Sequence, residues 1–166
     1  MIASIADLTP NTGDWHVANV GMLIGNLQSL EFSARVAIAE MNGSRSHVDL
    51  CTVQPGEWVR EDPMTNYDQL SAVLKRFNGL ASPTRQLDVQ KIVDLREQLA
   101  HGRVASFEPT FPLTLFKFGK PVRGKVPVLA RIEMTDEWFR AQRRFVHDAL
   151  QTVGDEFYAR RLNGGA

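Results

Sequence analysis

Hydrophobic residues recur with a helical period in four segments of the chain, and glycine, proline and polar residues separate these segments. Apolar side chains at i, i+3, i+4 and i+7 are typical of a helix that buries one face. The pattern therefore predicts four helices, near residues 15–41, 65–78, 82–102 and 135–160. The predicted N-caps are Asp14, Thr65, Ser82 and Thr135, and the predicted stops are Gly43, Gly79 and Gly102.

Between the third and fourth predicted helices the hydrophobic period changes from helical to alternating. Alternation over residues 113–133, with Arg123 and Gly124 in the middle, predicts a β-hairpin. Pro127 in the second arm predicts an edge strand, because proline cannot donate to a central ladder. The predicted fold class is mainly α, an antiparallel four-helix bundle with a β-hairpin inserted between helices 3 and 4.

The chain has 166 residues, which suits one domain. We expect an N-terminal arm at 1–14, an irregular connection at 44–64 and a frayed tail at 162–166. A hydrophobic fraction of 43% disfavours disorder, and no apolar run is long enough for a membrane span. The single cysteine, Cys51, and an N-terminus without a basic and then apolar leader favour a reduced, cytoplasmic compartment.

The formal net charge is zero, but the charges are distributed unevenly. Residues 1–62 carry eight acids and three bases, a net of −5, whereas residues 96–144 carry ten bases and five acids, a net of +5. No acid interrupts the run of Lys117, Lys120, Arg123, Lys125 and Arg131. Such a run forms either a surface for a polyanion or a solvated hairpin. The phenylalanines near this run have two alternative roles: they stack against nucleic-acid bases, or they anchor the hairpin on the helices. These residues are Phe107, Phe111, Phe116 and Phe118.

The end of the third predicted helix, residues 92–103, is IVDLREQLAHGR and contains Arg96 and His101 with four residues between them. This spacing, near a helix end in a helical protein, resembles the motif of the HEPN superfamily. The resemblance implies one HEPN-like helical domain that binds RNA or cleaves it as a metal-independent endoribonuclease, in a toxin–antitoxin or defence system. It also implies a homodimer and, as a candidate partner, an antitoxin. We expect no cofactor, no metal and no membrane.

The chemistry expected of this pair is acid–base cleavage of RNA. A histidine titrates near neutral pH and can take the proton of a ribose 2′-hydroxyl, which would yield a 2′,3′-cyclic phosphate. An arginine can hold the phosphate and offset the charge that develops on it. The expected contacts to flanking phosphates come from Arg103, Lys117, Lys120, Arg123 and Lys125.

Two glutamates, Glu97 and Glu31, bear on this hypothesis. Glu97 stands where the family commonly has asparagine or another small polar residue, and a carboxylate there neutralises Arg96 and repels phosphate. Glu31 either pairs with Arg35 at i, i+4 or reaches across the bundle to orient Arg96, and we favour the local pair. Arg96 and His101 are five positions apart, a rotation of about 140° and a rise of about 7.5 Å. We therefore expect convergence only through unwinding of the helix end or through a second chain.

The alternative function is a non-catalytic dimerisation or interaction module of HEPN-like fold, which Glu97 and the zero net charge favour. A short strand is predicted at 48–53. If it includes residue 47, the alternation of His47, Asp49 and Cys51 places these three candidate metal ligands on one side, but no fourth ligand is near in sequence, which favours a polar strand face or loop. His16 and His147 are isolated, so we expect surface or core roles for both.

Overall fold

A computed structural model describes residues 8–10, 12–43, 52–106 and 112–163 of the chain. These residues form four helices and a small antiparallel sheet, so the fold is mainly helical, as predicted. In chain order the elements are α1 (Gly13–Met41), α2 (Leu70–Leu80), α3 (Val89–His101), β1 (Arg103–Ala105), β2 (Thr114–Phe118), β3 (Val128–Glu133) and α4 (Asp136–Asn163). None of the helices in the described part is long and apolar enough to cross a bilayer.

The first helix confirms the prediction, with one correction at its start. The helix begins at Gly13, so the predicted cap Asp14 already lies in the first turn. Thr12 caps the helix instead, because its hydroxyl accepts a hydrogen bond of 3.3 Å from the Trp15 amide, three residues along. At the other end Gly43 adopts a φ of +66°, a left-handed conformation that favours glycine after a helix.

The predicted starts of the second and third helices were wrong. Thr65 does not cap α2, because its hydroxyl is held in a turn, where it accepts from the Asp62 amide at 2.9 Å. Consequently α2 begins only at Leu70 and continues through Gly79 to Leu80. Ser82 does not cap α3 either, because its hydroxyl donates to Glu156 at 3.0 Å. The third helix therefore begins at Val89.

The predicted hairpin is confirmed, and a third strand joins it. β2 and β3 pair antiparallel, and the strand order β1–β2–β3 places the proline-flanked β3 at an edge. The turn at Arg123 and Gly124 has φ values of 50° and 74°, as a tight hairpin turn requires. The sequence analysis missed β1, which has only three residues.

The last helix also confirms its predicted cap. The Thr135 hydroxyl accepts a hydrogen bond of 3.2 Å from the Trp138 amide, and two carboxylates follow in the first turn, where the helix dipole favours them. The helix extends to Asn163, so residues 162 and 163 of the expected tail are helical. The rest of that tail, 164–166, and residues 1–7 and 11 of the expected arm lie outside the described residues.

The chain divides into two compact units. One comprises Met1–Leu27 and Lys91–Val146, and its core contains Trp15, Leu23, Leu115, Met134 and Phe139. The other comprises Gln28–Gln90 and His147–Ala166, and its buried hydrophobic residues include Leu30, Ile38, Leu74, Phe77 and Val153. The expectation of one domain stays a prediction.

Candidate functional site

The two residues of the motif meet on the carboxylate of Glu97. Arg96 Nη1 lies 2.5 Å from Glu97 Oε1, and His101 Nε2 lies 3.5 Å from Glu97 Oε2. We call Arg96, Glu97 and His101 the Glu97 cluster. The pairing of Glu97 with His101 follows from their i, i+4 spacing, which places the two side chains one turn apart on the same face.

This geometry brings the two residues together by a route other than unwinding of the helix end. α3 is helical as far as His101, so its last turn is not unwound. The arginine side chain is long enough to reach the carboxylate of the next residue, which supplies the contact that helical spacing alone does not provide. Arg96 and His101 therefore converge within one chain, through a third residue.

The Glu97 cluster is open to solvent. The side chains of Arg96, Glu97 and His101 are 49%, 34% and 65% exposed. An exposed ion pair is worth little to stability and exchanges readily with water or a ligand. The arrangement can hold an anion through Arg96 and exchange a proton through His101, while the Glu97 carboxylate orients both side chains.

Gly102 connects this cluster to the sheet. A Cβ atom at this position would lie 2.3 Å from the Gln98 carbonyl oxygen and 2.9 Å from Leu115 Cγ. The backbone at the end of α3 therefore packs against β2 at a distance that only glycine allows. Gly102 is the single residue between His101, the last residue of α3, and Arg103, the first residue of β1.

The predicted phosphate-binding residues lie on the sheet and its hairpin loop. Arg103 is exposed on β1, with its guanidinium carbon 5.2 Å from the centre of the Phe118 ring. Lys117 is half-buried on β2, whereas Lys120, Arg123 and Lys125 are exposed in the loop between β2 and β3. Residues 109–132 contain no acid, so this part of the surface is basic.

Glu31 belongs to a different group of residues. Its Oε1 accepts hydrogen bonds from Arg35 Nη2 at 2.8 Å and from Arg35 Nε at 3.2 Å, which confirms the local pair. The buried Arg35 guanidinium also donates to the carbonyl oxygens of Pro63 at 3.0 Å and Asp68 at 2.7 Å and to Asn66 Oδ1 at 2.6 Å. Glu31 and Arg35 thus hold the segment before α2, a structural role.

The sequence analysis missed a second carboxylate with cationic partners. The side chain of Glu156 on α4 is 2% exposed and accepts hydrogen bonds from Ser82 at 3.0 Å, Arg85 at 3.2 Å and Arg160 at 2.9 Å. We call Glu156, Ser82, Arg85 and Arg160 the Glu156 cluster. Burial raises the pKa of the Glu156 carboxyl, but the hydrogen bonds from Arg160, Arg85 and Ser82 outweigh it and lower the pKa to about 2. Glu156 follows the buried Val153 by three residues on α4, but this spacing alone does not identify it as buried, since Ser82 and Arg85 are more than 70 residues away.

The isolated histidines have the expected roles. His16 is buried, with its ring 5.0 Å from that of Trp15 and 5.7 Å from that of Phe139, and this burial lowers its pKa. His147 is exposed on α4. Among the described residues, no group of His, Cys, Asp and Glu could hold a metal ion. His47, Asp49 and Cys51 lie outside the described residues, as do Phe107 and Phe111.

Comparisons of the chain with protein-family models, curated proteins and solved structures find no significant match.

Proposed function

We propose that the chain is a HEPN-like RNA-binding protein that cleaves RNA without a metal, with the Glu97 cluster as its active site. The observation that supports this most directly is the contact of Glu97 with both Arg96 and His101 on an exposed surface. Side chains must lie close together to act on the same phosphodiester, and these three meet at a position that is open to solvent. The proposal otherwise depends on the resemblance of Arg96 and His101, with four residues between them, to the HEPN motif.

In the proposed reaction, Arg96 leaves Glu97 to bind the scissile phosphate. His101 takes the proton of the adjacent 2′-hydroxyl, and the 2′-oxygen forms a bond to phosphorus while the bond from phosphorus to the 5′-oxygen breaks. The products are a 2′,3′-cyclic phosphate and a 5′-hydroxyl, which gains its proton from an acid or water. Glu97 is a positioning residue in this scheme, because it orients the imidazole through Nε2 and directs Nδ1 away from the carboxylate.

The basic sheet and loop supply the expected binding surface. Lys120, Arg123 and Lys125 are exposed in a stretch that carries no acid from residue 109 to residue 132, and Arg103 is exposed on β1, which pairs with β2. Contacts of this kind bind the phosphate backbone without sequence preference and weaken as salt rises. Lys117 is half-buried and follows Leu115 by two residues on β2, so it lies on the opposite face of the sheet from Arg103 and is not part of this surface.

Several finer expectations belong to the same proposal. They are an antiparallel four-helix bundle, a homodimer as the active form, an antitoxin or defence partner, and a cytoplasmic location. Each follows from the resemblance or from the composition. Sedimentation of the purified protein would test the dimer directly.

The second candidate function is a non-catalytic interaction module of the same fold. The distance of 2.5 Å between Arg96 and Glu97 favours it, because a carboxylate this close neutralises the arginine that would bind phosphate. The two functions predict different behaviour with RNA. The module should show no salt-dependent RNA binding and no cleavage products.

The decisive experiment incubates the protein with RNA in chelator and looks for 2′,3′-cyclic phosphate ends. We expect His101→Ala and Arg96→Ala to lower the cleavage rate by roughly 100-fold or more. His147→Ala and Arg144→Ala are matched controls, since both change exposed residues on α4, and should cleave like the wild type. Equal cleavage by His101→Ala and wild type would overturn the assignment of the site. Wild-type RNA binding without cyclic phosphate would restrict the function to binding.

A further inference from the structure

One face of the small sheet carries two phenylalanines between two arginines. In the register of the strands, Phe116 on β2 pairs with Arg103 on β1 and with Arg131 on β3. Residues directly opposite one another in a sheet share a face, and so do residues two apart on one strand. Phe118 therefore lies on the same face as Phe116. We call Phe116, Phe118, Arg103 and Arg131 the aromatic platform.

The other face of the sheet packs into the core, which leaves the platform on the outer side. Leu115 is 1% exposed and pairs with Ile132, which packs on the same core cluster. Along β2 the outer face becomes steadily more open, from Thr114, which is buried, through Phe116 to Phe118, which is 39% exposed. The open end of the platform is therefore the end nearer the basic loop.

The rings of the platform are arranged in parallel. The Phe116 and Phe118 ring centres are 6.3 Å apart and their planes differ by 16°. The Arg103 guanidinium lies over the Phe118 ring at 5.2 Å, which holds this cation at the platform. One carboxylate shares the face: Glu133 Oε1 lies 3.4 Å from Arg131 Nη2, so Arg103 is the stronger phosphate ligand of the two arginines.

We propose that the aromatic platform binds unpaired bases of a single-stranded polynucleotide, with Phe116 and Phe118 stacking against successive bases while Arg103 moves off the Phe118 ring to contact the backbone. Aromatic residues on exposed sheets bind single-stranded RNA in this way, and each base has a flat face that can stack. This inference rests on the proposed function, which makes the polynucleotide RNA. It adds that the substrate must be single-stranded where it crosses the sheet.

Charge and chain connectivity both favour this ligand. Lys120, Arg123 and Lys125 follow the open end of the platform without an intervening acid, which suits a chain of phosphates. Arg103 is two residues from His101, so their Cα atoms are at most about 7 Å apart. A strand stacked on the platform would therefore run beside the Glu97 cluster, and unpaired nucleotides would lie next to the scissile linkage.

The test measures binding of three fluorescently labelled probes by anisotropy: a ten-nucleotide RNA, a DNA of the same sequence and the RNA in a duplex. We expect the single-stranded RNA to bind more tightly than the duplex, because stacking requires unpaired bases. Phe118→Leu and Phe116→Leu should each weaken its binding by roughly tenfold or more and leave the salt dependence unchanged, because stacking releases no counterions. Phe118→Trp should retain the wild-type affinity, since it preserves the stacking surface.

Phe32→Leu is the matched control, because Phe32 is 48% exposed on α1 and its change should leave RNA affinity unaltered. Near-ultraviolet circular dichroism checks the fold of each variant, and if Phe116→Leu does not fold, Phe118→Leu alone decides the outcome. Two results would overturn the platform while the proposed function stands. One is an RNA affinity of Phe118→Leu within twofold of the wild-type affinity, and the other is equally tight binding of the duplex. Absence of any RNA binding by the wild type would overturn both.

Two further arms identify the ligand. Binding of the DNA as tightly as the RNA would keep the platform but remove RNA as its specific ligand. Phenylalanine-dependent binding to vesicles of anionic phospholipid, without binding to any oligonucleotide, would replace the polynucleotide by a membrane surface and overturn the proposal.

Discussion

In two regions of the protein a glutamate carboxylate contacts two basic side chains, and the two sites differ mainly in burial. In the Glu97 cluster the carboxylate contacts Arg96 and, one turn away, His101. In the Glu156 cluster the carboxylate contacts Arg85 and, one turn away, Arg160. The Glu97 side chain is 34% exposed, whereas the Glu156 side chain is 2% exposed.

Burial decides what each carboxylate can do. Away from water, the charge of Glu156 is stable only while its hydrogen bonds persist, so the cluster holds the connection after α2 to α4 and cannot exchange partners cheaply. In contact with water, Glu97 can release Arg96 to a phosphate at little cost. A carboxylate with two basic partners therefore stabilises the fold in one region and remains available for a ligand in the other.

The largest expected effect is on the buried cluster. Replacing Glu156 by alanine leaves Arg85, Arg160 and Ser82 without their acceptor, and we expect the free energy of unfolding to fall by about 3 kcal/mol. The matched change Glu97→Ala should cost less than about 1 kcal/mol, since its partners remain hydrated. Urea denaturation of both variants measures the difference. Equal losses would show that burial does not distinguish the two clusters.

The second effect is a dependence of stability on acid pH. The Glu156 pKa falls from its ordinary value of 4.5 to about 2 in the folded chain, so the unfolded chain binds this proton more readily. The resulting stability, up to about 3 kcal/mol, is present above pH 5 and disappears as the pH falls from 5 to 2.

Urea titrations at pH 6, 4 and 2.5 measure this dependence. In Glu156→Gln, which cannot titrate at this position, stability should fall less steeply over the same range. Parallel curves for wild type and Glu156→Gln would contradict the assignment of this acid sensitivity to Glu156.

The smallest effect on stability is expected for a change at Glu97 that removes only its charge. Glu97→Gln keeps the size of the side chain and removes its charge, so we expect a change in unfolding free energy within about 0.5 kcal/mol. Under the proposed function, RNA affinity at low salt should rise severalfold, because one negative charge beside the phosphate is gone. Anisotropy at two salt concentrations measures this, and an unaltered or weaker affinity would argue that Arg96 does not contact phosphate.

Much of the element order was predictable, because it depends on local periodicity. Four helices and the hairpin around Arg123 and Gly124 were correctly predicted from hydrophobic spacing and turn residues. The starts of α2 and α3 were wrong, although Thr65 and Ser82 have suitable chemistry for capping. Thr65 is held in a local turn with Asp62, and Ser82 binds the distant Glu156 instead. β1 was missed because a strand of three residues shows no alternation to detect.

The candidate site was partly predictable for a related reason. Arg96 and His101 were recognised from their spacing, which requires no knowledge of side-chain direction. Their meeting on Glu97 depends on the conformations of the three side chains, and helical geometry alone argued against it. Glu156 was missed because a charged residue on an apolar helix face is recognisable as buried only when its partners from distant parts of the chain are known.

The order of residues by itself determined the four helices, the hairpin and its basic charge, because these depend on periods and types of side chain within short segments. Only the tertiary structure decided which carboxylate is buried and which is exposed, since burial depends on segments that are far apart in sequence. It also decided that Phe116 lies between Arg103 and Arg131, because the register between strands aligns residues that no local pattern connects.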